Sequence, residues 1–164
     1  MADIAMFKAG ATHYSRNNAR VPYVAEWTVD LAEAAVTKGS ALAVSDVIQA
    51  LYVPAGSVVL FAGVQVMEAM TGTSTDATID VGATSLSDPD KYVDGFDLDG
   101  AAAGAYATVA SAAVTPASFF PAADTIDVTI ATQTGTITGG KIRVFAVMTS
   151  VADVPSPGVA LVGS

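Results

Sequence analysis

In KIRVFAVMTSV, Ile142, Val144, Ala146 and Met148 occupy every second position, and in DTIDVTIATQ so do Ile126, Val128 and Ile130, with Asp127 and Thr129 between them. A period of two sends alternate side chains to opposite faces of an extended chain, so such runs fold as strands with one face buried. Other segments read the same way. YVAEWTVDL carries Val24, Trp27 and Val29, and DVIQALYV is closed by the turn signal Pro54-Ala55-Gly56. SVVLFAGVQVMEAM is the longest apolar run, β-branched and alternating from Gly63 to Glu68, with Gly63 a candidate bulge. DATIDVGA places Ile79 and Val81 opposite Asp80, AYATVASAAVT reads as a further strand, and YVDGFDL is either a short edge strand or a turn of helix. In LAEAAVTKGSALAV, Leu31, Ala34 and Ala35 suit one helical turn, but Val36, Thr37 and then Lys38-Gly39-Ser40 favour a strand end and a turn. A turn is expected near Gly135 or Gly139-Gly140.

About eight strands separated by turn signals, with no strand–helix–strand repeat, predict an all-β chain: a jelly-roll-like β-sandwich. The expected organisation is an extended N-terminal arm over 1–22, a sandwich domain over 23–153 and an extended tail over 154–164. Trp27, Val59, Phe61, Ile79, Ile126, Val128, Val144 and Phe145 are expected mainly in the core or between subunits. Trp27, Phe61 and Phe145 are the leading candidates for either role.

Composition narrows function. Hydrophobic residues make up 52% of the 164 and charged residues only 14%, so a lone copy should leave apolar surface in water. Such patches mark interfaces, and a homo-oligomer is expected, most simply a trimer. No apolar run reaches the length of a membrane-spanning helix, and the N-terminal segment lacks the apolar stretch of a secretion signal. Seven basic residues against 16 acidic ones give a net charge of −9. That disfavours nucleic acid and anionic membranes as partners, since both are bound through basic patches. There is no cysteine, so disulfides, thiolate chemistry and Cys-based zinc sites are excluded.

The search for catalysis finds no nucleophile elbow, no His-Glu-x-x-His, no phosphate loop and no dinucleotide fingerprint. The single histidine, His13, stands in the arm with no partner pattern. The chain is read as a non-enzyme without a cofactor.

Seven aspartates and one lysine fall between Thr75 and Gly100. Asp88, Asp90, Asp94, Asp97 and Asp99 are the candidate ligands for a hard cation such as calcium, which takes six to eight oxygens. Their spacing does not fit an EF-hand: counted from Asp90, the third and twelfth positions are Tyr92 and Ala101. A solvated, turn-forming acidic loop is the expected reading, with no metal. The arm is the one segment with a positive balance, carrying Lys8, Arg16 and Arg20 against Asp3.

The ordered set DVIQALYVPAGSVVLFAGVQV, ATIDVG, DKYVDGFDLDGAAAGAY, AADTIDVTI and GGKIRVFAVMTSVAD resembles small virion structural proteins of tailed bacteriophages, of the type common in marine and cyanobacterial phages. The resemblance spans about residues 22–153, and Ile79-Asp80-Val81-Gly82 and Asp94-Gly95-Phe96-Asp97 carry most of it. It implies a capsid cement, or decoration, protein with a jelly-roll body, assembled as a homotrimer. The implied location is the outer surface of the virion shell and the implied partner is the major capsid protein. Lys8, Arg16 and Arg20 are the candidate capsid contacts. A different reading makes the chain a tail- or fibre-associated adhesion module that touches a host glycan through the Asp88–Asp99 loop, with calcium.

Overall fold

A computed structural model describes residues 3–5, 21–108 and 117–151. Among these residues ten strands and one α-helix follow in the order β1 (Asp3–Ala5), β2 (Tyr23–Asp30), α1 (Leu31–Lys38), β3 (Val47–Val53), β4 (Ser57–Gly72), β5 (Thr78–Ala83), β6 (Asp88–Asp97), β7 (Tyr106–Ala107), β8 (Ser118–Phe120), β9 (Asp124–Thr132) and β10 (Ile137–Ser150). The first sheet runs β1-β3-β9-β5-β6, and the second runs β2-β10-β4-β7, with β8 also paired to β4. All pairings are antiparallel except β1 with β3. The expected all-β sandwich is therefore what forms. From β2 to β5 each connection crosses to the other sheet, and β5–β6 is the one pair adjacent both in sequence and in the sheet.

The alternating runs supply the interior. Ile79, Val81, Ile126, Val128 and Ile130 from the first sheet meet Val29, Val59, Val64, Val66, Ile142, Val144 and Met148 from the second, all without solvent contact. Each such side chain contributes about 1.5–3 kcal/mol on burial, which is why the phase of the alternation decides the register.

The phase breaks in β4. Val147 pairs with Phe61 but Met148 pairs with Val59, leaving Leu60 as an extra residue; a second extra residue, Met67, lies between Val66 and Glu68. The bulge at Leu60 keeps both Val59 and the trio Ala62, Val64 and Val66 inside, and it turns Phe61 out. Phe61 is thus 37% exposed on the outer face, which leaves the surface role of the two expected for it. Gly63, expected as the bulge, sits in regular register opposite Phe145. It is needed for close approach: a Cβ there would stand 2.4 Å from the Ala107 carbonyl oxygen and 2.9 Å from Cζ of Phe145.

The segment after β2 is a helix, against the strand-end reading. Asp30 caps it, its carboxylate accepting hydrogen bonds from the backbone N–H of Ala32 (2.9 Å) and Glu33 (3.2 Å). Gly39 ends it at φ 81°, with its N–H donating to the carbonyls of Ala35 and Val36. Burial of Leu31 and Ala34 against the sheet overrides the β-branched Val36 and Thr37, which point away from the core. Lys38 then fastens the following loop, bonding the Ala41 carbonyl (2.8 Å) and the carboxylate of the buried Asp46.

YVDGFDL lies mostly within β6, the outer strand of the first sheet. The turn before β10 uses Gly135 (φ 90°), while Gly139 and Gly140 lie within β10. AYATVASAAVT contributes the two residues of β7, and 109–116 are outside the described residues. The N-terminal segment also differs from a free arm. Asp3–Ala5 pairs in parallel with Val47–Gln49, and Ile4 is buried in the core. Lys8, His13, Arg16, Arg20 and the tail from 152 onward are outside the described residues.

Candidate interaction faces

The two sheets present outer faces of opposite character. On the first sheet β5, β6 and β9 are rich in aspartate, and several carboxylates there and in the turn after β6 serve the backbone. Asp80 accepts from the Gly95 N–H at 2.8 Å, Asp99 from the Ala77 N–H at 3.1 Å and Asp97 from the Gly100 N–H at 2.9 Å. These bonds shape the turns around β6, where Gly95 (φ 62°) adopts a left-handed conformation. Burial raises the Asp80 carboxyl above the usual range; the Gly95 N–H opposes that, and the neighbouring Asp94 and Asp90 add to it. Among the described residues, no three acidic or histidine side chains are grouped to hold a metal ion. Asp88, Asp90, Asp94, Asp97 and Asp99 are therefore spread along β6 and its exit turn, not gathered.

Asp127 is a separate case. It lies on the outer side of β9 yet is only 3% exposed, because Gly82 opposite it lets the chain return across the sheet. A Cβ at Gly82 would meet the Asp88 carbonyl oxygen at 2.3 Å and Pro89 at 2.4 Å. Beneath that crossing, a 3₁₀ turn at Thr84–Leu86 aims its donors at Asp127. The carboxylate accepts from the Thr84 N–H (3.2 Å), the Thr84 hydroxyl (2.8 Å) and the Thr125 hydroxyl (2.6 Å). Burial nevertheless raises its pKa, with those three bonds opposing and Asp124 adding to the rise. On β6, burial pushes the Tyr92 hydroxyl up to about 12, so it is a neutral core group.

The outer face of the second sheet carries an apolar patch beside a set of ion pairs. Val147 stands between Val24 and Phe61, Phe145 lies opposite Gly63, and Val58 pairs with Phe119. Val24 is 64% exposed, Phe119 52% and Tyr106 70%. Two cations lie on this face and both are paired within it. Arg143 reaches Glu26 at 3.4 Å and also bonds the Gln65 side-chain oxygen. Lys141 bonds Glu68 at 2.8 Å and has Asp30 at 3.9 Å, and its pKa is raised by the Glu68 bond. A shallow depression lies between Val24, Glu26, Gln65, Tyr106, Arg143 and Phe145.

Of the three aromatic candidates, Phe61 and Phe145 come together on this face, and Trp27 does not. Trp27 is half-buried and packs against the core from β2, with its indole N–H unbonded. Tyr106 and Phe119 escaped the sequence reading, and Val24 entered it only as a strand residue. Their signal was faint: an apolar residue out of phase with the buried positions of its own short run.

No protein-family model and no curated protein sequence matches this chain. Its fold, however, is similar to that of chains in two solved phage capsids. A chain of the Ralstonia phage GP4 capsid superposes with a TM-score of 0.65 at 17% identity, over 93% of this chain and 100% of that one. A chain of the cyanophage Pam1 capsid asymmetric unit does so with a TM-score of 0.57 at 16% identity, over 87% and 93% respectively. The resemblance to phage virion structural proteins read from the segment order is thus matched by a likeness in fold.

Proposed function

We propose that this chain is a structural subunit of a tailed-phage virion, bound to the outside of the capsid as a homotrimeric cement protein. Its role is mechanical and not catalytic. The observation that carries this reading is the fold likeness to a phage-capsid chain that runs over 93% of this chain and the whole of that one. The two-sided body fits it: a face with an apolar patch suits contact with other subunits, and an acidic face suits water. Cement acts by mass action, because whatever binds only the assembled shell stabilises that shell. Three copies joined together multiply weak contacts into firm attachment.

The major capsid protein is the proposed partner, and Lys8, Arg16 and Arg20 are the proposed contacts to it. The test is binding to shells of the encoding phage that lack this protein. Stoichiometric density on the outer surface and a raised shell melting temperature are expected. Reversal of Arg16 and Arg20 to glutamate should weaken binding, most at low salt. Unaltered shells, or density on the tail alone, would overturn the proposal.

A further inference from the structure

We propose that the outer face of the β2-β10-β4 sheet is the surface through which copies of this chain bind one another. This rests on the oligomeric part of the function proposed above and gives that oligomer an interface.

The argument begins with the apolar side chains. Val24, Phe61, Phe119, Phe145, Val147 and Tyr106 share one side of one sheet, and four of them, Val24, Phe61, Phe119 and Tyr106, are exposed. They are contiguous through strand pairing: Val24 to Val147 to Phe61 across three strands, and Val58 to Phe119 at the next. Scattered surface valines need no explanation, but a continuous patch of this kind marks an interface.

Charge identifies the occupant. An anionic partner needs unpaired cations, and both cations of this face are engaged, Arg143 by Glu26 and Lys141 by Glu68. A basic partner would be drawn to the aspartates of the opposite sheet, where the acidic excess lies. The chain as a whole carries −9, so two copies repel unless they meet where charge is balanced. The β2-β10-β4 face comes nearest to that condition: Lys141 and Arg143 stand against Glu26, Asp30 and Glu68, every one of them in an ion pair, and the apolar side chains lie beside them. A surface of that composition is matched by a copy of itself.

The experiment uses the full chain. Sedimentation equilibrium at micromolar concentration should give a multiple of the 16.5 kDa chain mass for the wild type. Val24→Glu and Phe119→Glu place a charge at two exposed points of the patch, where folding tolerates it, and each should weaken association by about a hundredfold or more. Val36→Glu, on the exposed side of α1 and 79% exposed, is the control and should leave the mass unchanged. Circular dichroism checks that all three variants keep the sandwich. A monomeric wild type overturns the inference, as does a Val24→Glu or Phe119→Glu variant that keeps the wild-type mass while Val36→Glu does too. Shell binding separates this from the function proposed above. An oligomer dispersed by Val24→Glu that ignores capsids upholds the interface and rejects the cement role. A monomer that binds capsids and loses them on Val24→Glu does the reverse, giving the face to the shell.

Discussion

Asp127 offers a quantitative test of what holds the first sheet together. It is a carboxylate 3% exposed, served by three donors from Thr84 and Thr125. Two effects compete there. Hydrogen bonds favour the ionised form and burial disfavours it, and burial prevails, so the folded pKa lies above the unfolded value of 3.8. The sign follows from proton binding. Between 3.8 and the folded pKa, the native state holds a proton that the unfolded state has released, so this group's contribution to stability falls as pH rises through that window and is level above it. Asp127→Asn removes the charge and keeps an oxygen for the Thr84 donors, while the Thr125 hydroxyl can turn to accept from the new amide. It should stay within about 1 kcal/mol of wild type at pH 7, where the wild type carries its burial penalty. Asp127→Ala strands the buried Thr125 hydroxyl and the Thr84 N–H, and should cost about 2–4 kcal/mol. Urea unfolding of the three proteins at pH 4 and pH 7 provides the comparison. Wild type should lose ground to Asp127→Asn on going from pH 4 to pH 7. A gap that instead widens in favour of the wild type would mean the three bonds outweigh burial, and the reasoning would fail.

Gly63→Ala should destabilise the protein by about 2 kcal/mol or more, because its Cβ meets a backbone carbonyl that cannot swing aside; thermal unfolding reads this directly. Asp30→Ala should cost about 1 kcal/mol through the lost cap of α1, and Asp30→Asn less than half of that, as seen by urea midpoints. Chelator should leave the melting temperature within about a degree, since among the described residues no three acidic or histidine side chains are grouped to hold a metal ion; a drop of several degrees reversed by calcium would restore the metal-dependent adhesion reading.

The strands were legible because their alternation is a local property, and Ile126, Val128, Ile130, Ile142, Val144 and Met148 sit inside as their spacing requires. Which of its two expected places Phe61 takes was not legible, because a bulge one residue earlier reverses the phase, and that extra residue shows only against a partner strand. The helix after β2 was hidden by its eight-residue length and by Val36 and Thr37, although Asp30 with Glu33 three positions on, and Lys38-Gly39, are cap signals at its ends. Asp3–Ala5 has no pattern at all: three residues join the sheet because Ile4 finds a hydrophobic site, and only the tertiary structure reveals it. The apolar face is the clearest case. Val24, Phe119 and Tyr106 are unremarkable in their own segments and become a patch only when β2, β7 and β8 are brought to one side of one sheet.

The central place of β10 also dictates when this protein can take shape. β2 and β4 are not neighbours; each is hydrogen-bonded to β10, on its two sides. On the ribosome, therefore, β2 and β4 wait without their shared partner until residues 137–150 have emerged. Their apolar side chains are in the meantime material for chaperones or for neighbouring nascent chains. Insertion of that single strand then closes the second sheet in one event. A messenger cut short of it leaves both strands without the one that joins them, and no finished sandwich follows.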